Sequence, residues 1–179
     1  MNGTFTFVVI MIMGVNSLIG EIKLVRPMVY GDDKVALLVF SEQQHSLKMR
    51  IYNFDTIVFG KDFSNQGGLN ETEYSFGIVK DIKTGINAIK ICGGRSGEGY
   101  DYCYDNVYEF TGRQLRMIAY KQETNECLYN DTIKTEYEID GQSATSNQYV
   151  DFMKNQKETL LISKVLGSIE YVGEGSGYK

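Results

Sequence analysis

Residues Ile91–Tyr104, ICGGRSGEGYDYCY, set Cys92 and Cys103 around four glycines, Arg95 and Glu98. Three chemistries use such residues: a phosphate cradle, a metal site, and a reactive or bridging thiol pair. A cradle needs backbone N–H groups converging at a helix N-terminus after a strand. Gly93, Gly94, Gly97 and Gly99 fit neither G-x-G-x-x-G nor G-x-x-x-x-G-K-[ST], and Glu98 would repel phosphate. The following Tyr-Asp-Tyr-Cys-Tyr alternates as a strand does. The loop reads as a hairpin.

Metal chemistry is equally poorly supported. There is no C-x-x-C and no second cysteine pair, which argues against structural zinc. The acidic residues Glu98, Asp101, Asp105 and Glu109, and the pair Asp32-Asp33, lack the alternating oxygens around a glycine that calcium loops show. They read as solvated acidic faces, and neither metal nor cofactor is expected. Nucleophilic catalysis would have to use His45, the one histidine, and no G-x-S-x-G exists. No catalytic constellation is therefore expected, although 23 Asp and Glu residues leave a carboxylate-pair hydrolase open.

A disulfide is the remaining use for the cysteines. Cys92 and Cys103 bracket a turn centred near Gly97 and Glu98, so strands Ala88–Cys92 and Tyr100–Tyr104 could pair with the cysteines roughly opposite. A bridge forms if the Cα atoms approach within about 7 Å, and closing so short a loop contributes roughly 2–3 kcal/mol. Cys103–Cys127 is the alternative pairing.

Tyrosine stands out, with 13 against no tryptophan. Tyr100, Tyr102 and Tyr104 share one face of a strand, with Asp101, Cys103 and Asp105 on the other, and Tyr108 extends the first face if the strand is unbroken. Tyrosine brings large contact area at low entropic cost, and it also packs well in cores. Glu98, Tyr100, Asp101 and Tyr102 are the candidate binding residues.

The elements that must position these residues are mostly β. In DTIKTEYEID, Ile133, Thr135, Tyr137 and Ile139 face one way and Lys134, Glu136 and Glu138 the other, before an Asp140-Gly141 hairpin turn. SLKMRIY places Leu47, Met49 and Ile51 inward and Lys48, Arg50 and Tyr52 outward. Val35–Phe40 is continuously apolar, as a strand buried on both faces is. Short spacing between turn signals predicts a mainly β chain: a single antiparallel β-sandwich or barrel-like domain over 21–166. At most one short helix is expected, near residues 146–157, with Tyr149, Val150, Phe152 and Met153 on its apolar face. The tail 167–179 is expected to fray.

Residues 1–20 carry no charge, and Phe5–Val15 is apolar apart from Thr6. That length suits a signal-peptide h-region and is short of the ~20 residues of a spanning helix. The segment reads as a signal peptide, with cleavage before Leu18 or after Gly20; a buried first strand is the alternative. The expected location is the periplasm or outside the cell, without a membrane span after signal removal. Formal net charge is −5 with scattered Lys and Arg, which argues against nucleic acid.

In YDNVYEFTGRQLRMIAYKQET, the residues Tyr108, Phe110, Gly112, Leu115, Ile118 and Tyr120 resemble the late hairpin of small exported bacterial β-proteins. Some of those are immunity proteins that neutralise toxins of competing bacteria. Beside this resemblance, the export-like N-terminus, the lack of a catalytic constellation and the acidic, tyrosine-rich loops lead to the expected role: an exported, non-catalytic protein-binding domain, an inhibitor or immunity protein that occludes the active site of a toxin or envelope enzyme. The alternative is a cell-envelope glycan-binding protein, or a hydrolase using a carboxylate pair.

Overall fold

In a computed structural model of the chain, residues 21–43, 46–53, 56–64, 72–97, 100–126, 132–165 and 168–171 are described. The expected signal peptide, Glu98, Cys127 and the tail beyond Tyr171 lie outside them. Strands dominate, in two antiparallel sheets with one short helix, among the described residues. The chain forms two compact units, residues 1–65 with 111–114, and 66–110 with 115–179.

The first unit carries a four-stranded meander, β1 (Glu21–Tyr30), β2 (Lys34–Gln43), β3 (Ser46–Asn53) and β4 (Thr56–Ser64). Its centre is β2, where Ala36–Phe40 are buried as the apolar run predicts and Ser41 with them, whereas Val35, the first residue of that run, is 50% exposed. Leu47, Met49 and Ile51 on β3 are at most 1% exposed. Tyr52 does not point to solvent as its place in the alternation suggests. It pairs with Leu37 and is buried with Leu37 and Val39, because this end of the sheet is covered on both faces.

The second unit is built on an eight-stranded sheet, ordered β10-β9-β8-β7-β6-β5-β11-β12. A meander runs through β5 (Thr72–Asp81), β6 (Asn87–Gly97), β7 (Tyr100–Phe110), β8 (Leu115–Glu126), β9 (Thr132–Ile139) and β10 (Gln142–Ser143). The β9–β10 turn is the Asp140-Gly141 hairpin turn read from the sequence. Both residues have positive φ, 49° and 76°, which matches a turn with two left-handed positions. The chain then crosses back through helix α1 (Ser146–Lys154) to place β11 (Gln156–Val165) beside β5. Strand β12 (Ser168–Tyr171) pairs with β11, so this part of the tail is ordered into the sheet edge. Among the described residues each sheet keeps two open edges, so neither closes into a barrel.

Helix α1 starts where Thr145 and Gln148 satisfy each other's backbone N–H groups, a capping box. It ends at Lys154, three residues short of the expected range, because Gln156 already pairs with Asp81 in β5. Tyr149, Phe152 and Met153 face the sheet at helical spacing and cover Val79, Ala88, Val107 and Ala119. Val150 turns outward and is 45% exposed, contrary to its place on the expected apolar face. On β9 the helix covers Tyr137 and Ile139, whereas Ile133, expected inward, is 66% exposed. The helix is too short to shield the whole strand. The Leu-x-x-Ile spacing of β8 breaks the period of two for a reason visible in the ladder. Val107 pairs with Ala119 but Tyr108 with Met117, so Ile118 is the extra residue of a bulge and joins the cluster under α1.

Candidate functional site

Strand β7 runs unbroken from Tyr100 to Phe110, flanked by β6 and β8, so its even-numbered residues fall on one face. Tyr102 and Tyr104 are half-buried there, with ring centroids 5.7 Å apart. Tyr104 pairs with Gly93, and a Cβ at Gly93 would lie 2.5 Å from the tyrosine hydroxyl. The glycine is thus the floor on which the Tyr104 ring lies. Tyr108 continues the face, its hydroxyl accepting from Asn106 Nδ2 at 3.1 Å. Strands β8 and β9 widen it with Tyr120, Gln122, Glu136 and Glu138. The Tyr120 hydroxyl donates to Glu136 Oε2 at 3.3 Å, and burial together with that carboxylate raises its pKa.

The candidate binding residues are placed unequally. Tyr102 is on this face, its hydroxyl 3.5 Å from Gln122 Oε1. Tyr100 takes the ladder position opposite Gly97 and Glu126, and Asp101 that opposite Ser96 and Asn125. Glu98 is outside the described residues.

The cysteines are not joined. β6 ends at Gly97 and β7 begins at Tyr100, so the turn is centred one residue later than the sequence suggested. That shift moves the pairing by two: Cys92 lies opposite Asp105, and Cys103 opposite Gly94. The cysteines become diagonal neighbours on one face, a spacing of about 7–8 Å, and both keep their thiols. The Cys103–Cys127 alternative involves a residue outside the described set.

The same face carries a cluster that sequence reasoning missed. The Lys90 ammonium is 3.4 Å from Asp105 and 3.0 Å from Glu158, with only 12% of its side chain exposed. Burial works against that charge, but Cys92, Asp105 and Glu158 outweigh it and raise the Lys90 pKa. Cys92 is within hydrogen-bonding reach of Asp105 and Ser75, and burial pushes its thiol up to about 12. Tyr149, from α1, brings in a buried hydroxyl with no partner among the described residues. Burial, with Asp105 nearby, raises that hydroxyl to about 12 as well. Such a thiol stays protonated at neutral pH and is a poor nucleophile. The two carboxylates share one ammonium, which draws them together and offsets one of their two negative charges. Lys90 and Cys92 alternate with Ile89 and Ile91, and that pattern was the available signal. Its partners come from four other elements, β5, β7, α1 and β11, that only the topology brings together.

Among the described residues no three His, Cys, Asp or Glu side chains gather to hold a metal ion, and no helix is long and apolar enough to cross a membrane. No known family, curated protein or solved structure matches the chain.

Proposed function

We propose that the protein is an exported, non-catalytic protein-binding domain, an inhibitor or immunity protein that occludes the active site of a toxin or envelope enzyme. The observation that carries this reading is the tyrosine face of β7–β9. Tyr102, Tyr104, Tyr108 and Tyr120 are half-buried, so each ring is braced by the sheet while part of it stays available. Braced aromatics lose little entropy on binding and make strong anchors. Glu136 and Glu138 border them, and the chain carries a net charge of −5, a combination that steers a basic partner. Tyr100 and Asp101, the first two residues of β7, and Glu98 before them in the sequence are proposed as further contacts.

The experiment is co-purification from the native host with the tagged full chain and with a Tyr102→Ala/Tyr104→Ala variant. A stoichiometric partner retained by the first and lost by the second is the expected result. Equal retention by both, or no stoichiometric partner, contradicts the proposal. Mass spectrometry of the protein from that host tests export, with a mature chain beginning at Leu18 or Glu21 expected; an intact Met1 contradicts it.

The alternative of a glycan hydrolase would draw on Asp105 and Glu158, the carboxylates that share Lys90. Their common ammonium ties up the pair, which weighs against acid–base work.

A further inference from the structure

The first unit contains a groove of about 540 Å³ formed by Tyr30, Lys34 and Asn53 facing the turn Thr111–Gln114. That volume lies within the range of ~300–1,000 Å³ typical of small-molecule sites. Its lining holds two cations, Lys34 and Arg113, and no carboxylate. Elsewhere Lys23, Arg50, Lys90, Arg116 and Lys121 each lie within 4.0 Å of an Asp or Glu. Lys34 and Arg113 make no ion pair among the described residues, so the groove keeps its positive charge within an acidic chain.

The rest of the lining is polar and shaped. Thr111 closes the turn, its N–H and hydroxyl donating to the Gln114 carbonyl at 3.0 and 3.2 Å. Gly112 has φ +95°, and a Cβ built there would lie 3.2 Å from the Tyr30 ring, so only glycine keeps this wall flat against the aromatic. Asn53 and Gln114 supply amide groups that both donate and accept, suited to hydroxyls. Asp32 and Asp33, in the turn just before Lys34, limit how much negative charge the site can take.

We propose that this groove binds a sugar acid: one carboxylate gripped by Lys34 and Arg113, and a hydroxylated ring held by Asn53 and Gln114 beside Tyr30. The neighbouring aspartates favour a single negative charge over a polyanion, and the amides favour a hydroxylated body over an apolar one. The site shares no residue with the tyrosine face and does not rest on the protein-binding reading.

The test is an NMR titration of the full chain with D-glucuronate, with D-glucose as the neutral control. Saturable shifts at Lys34, Asn53, Gly112, Arg113 and Gln114 are expected with glucuronate and not with glucose. Lys34→Gln and Arg113→Gln should each weaken binding about tenfold, the scale of a lost charged hydrogen bond. Both side chains are exposed and outside any ion pair among the described residues, so the fold should persist, and spectra of the remaining residues verify it. An oligogalacturonate arm separates the sources: tighter binding than the monomer assigns the site to a glycan chain, weaker or equal binding to a free sugar acid. No saturation by about 10 mM glucuronate, equal binding of glucose, or affinity unchanged in both variants overturns the proposal.

Discussion

At the scale of single residues, the physical weight of the second sheet lies on Lys90. Its ammonium satisfies two carboxylates from different strands, under a helix whose Tyr149 adds a buried hydroxyl. Lys90→Met leaves Asp105 and Glu158 without their shared cation. Both carboxylates are about a third or more exposed, so water screens the loss, and the expected cost is about 1–2 kcal/mol rather than that of a fully buried pair. Chemical denaturation measures it, and an unchanged midpoint would show that the cluster contributes nothing. Cys92 gives a sharper check. Its thiol sits near 12 instead of 9.0, so at pH 8 its thiolate fraction is about a thousandfold below that of an ordinary thiol. Iodoacetamide should label exposed Cys103 in the native protein and reach Cys92 only on unfolding. Peptide mass spectrometry reads both sites, and labelling of neither until a reductant is added would instead reveal a bridge.

At the scale of elements, the β5–β6 turn and the β6–β7 ladder carry the strands that matter. Asp81 closes that turn by accepting from the Lys83 and Thr84 N–H groups and the Thr84 hydroxyl. The Thr84 N–H bond is the main reason its carboxyl titrates below the ordinary 3.8. A lowered native value means that the folded chain binds fewer protons than the unfolded one. Its stabilisation is therefore present above pH 3.8 and lost as pH falls through the depressed value. Asp81→Ala should cost about 1 kcal/mol at neutral pH, and the gap from wild type should close in acid. A gap independent of pH would contradict this account. On the next strand, Gly93→Ala puts a methyl where the Tyr104 ring lies. The ring must swing off its floor, at a cost of about 1–2 kcal/mol, and aromatic NMR shifts of Tyr102 and Tyr104 should move. Unmoved shifts would show that the ring does not depend on the glycine.

For the molecule as a whole, the strands were legible because burial follows the alternation of their side chains: Leu47, Met49 and Ile51 went inside as their spacing required. Alternation says which residues share a face, but not whether that face is covered. Tyr52 was buried by cover on its second face, and Ile133 was exposed because α1 stops short. The cysteine pairing failed for a different reason. Moving a turn centre by one residue shifts every cross-strand pair by two, and a glycine-rich turn gives little to fix its centre. The tyrosine face was readable from Tyr100, Tyr102 and Tyr104 alone, since a strand of period two needs no tertiary information. The Lys90 cluster was not, since β6, β7, α1 and β11 meet only after the chain crosses the sheet. The protein-binding account stands on the tyrosine face, and its partner is the direct test. With the co-purified partner in hand, calorimetry should show Tyr102→Ala and Tyr104→Ala each weakening binding by about 2 kcal/mol, the scale of an aromatic anchor, with the fold intact. Wild-type affinity in both variants would contradict the account.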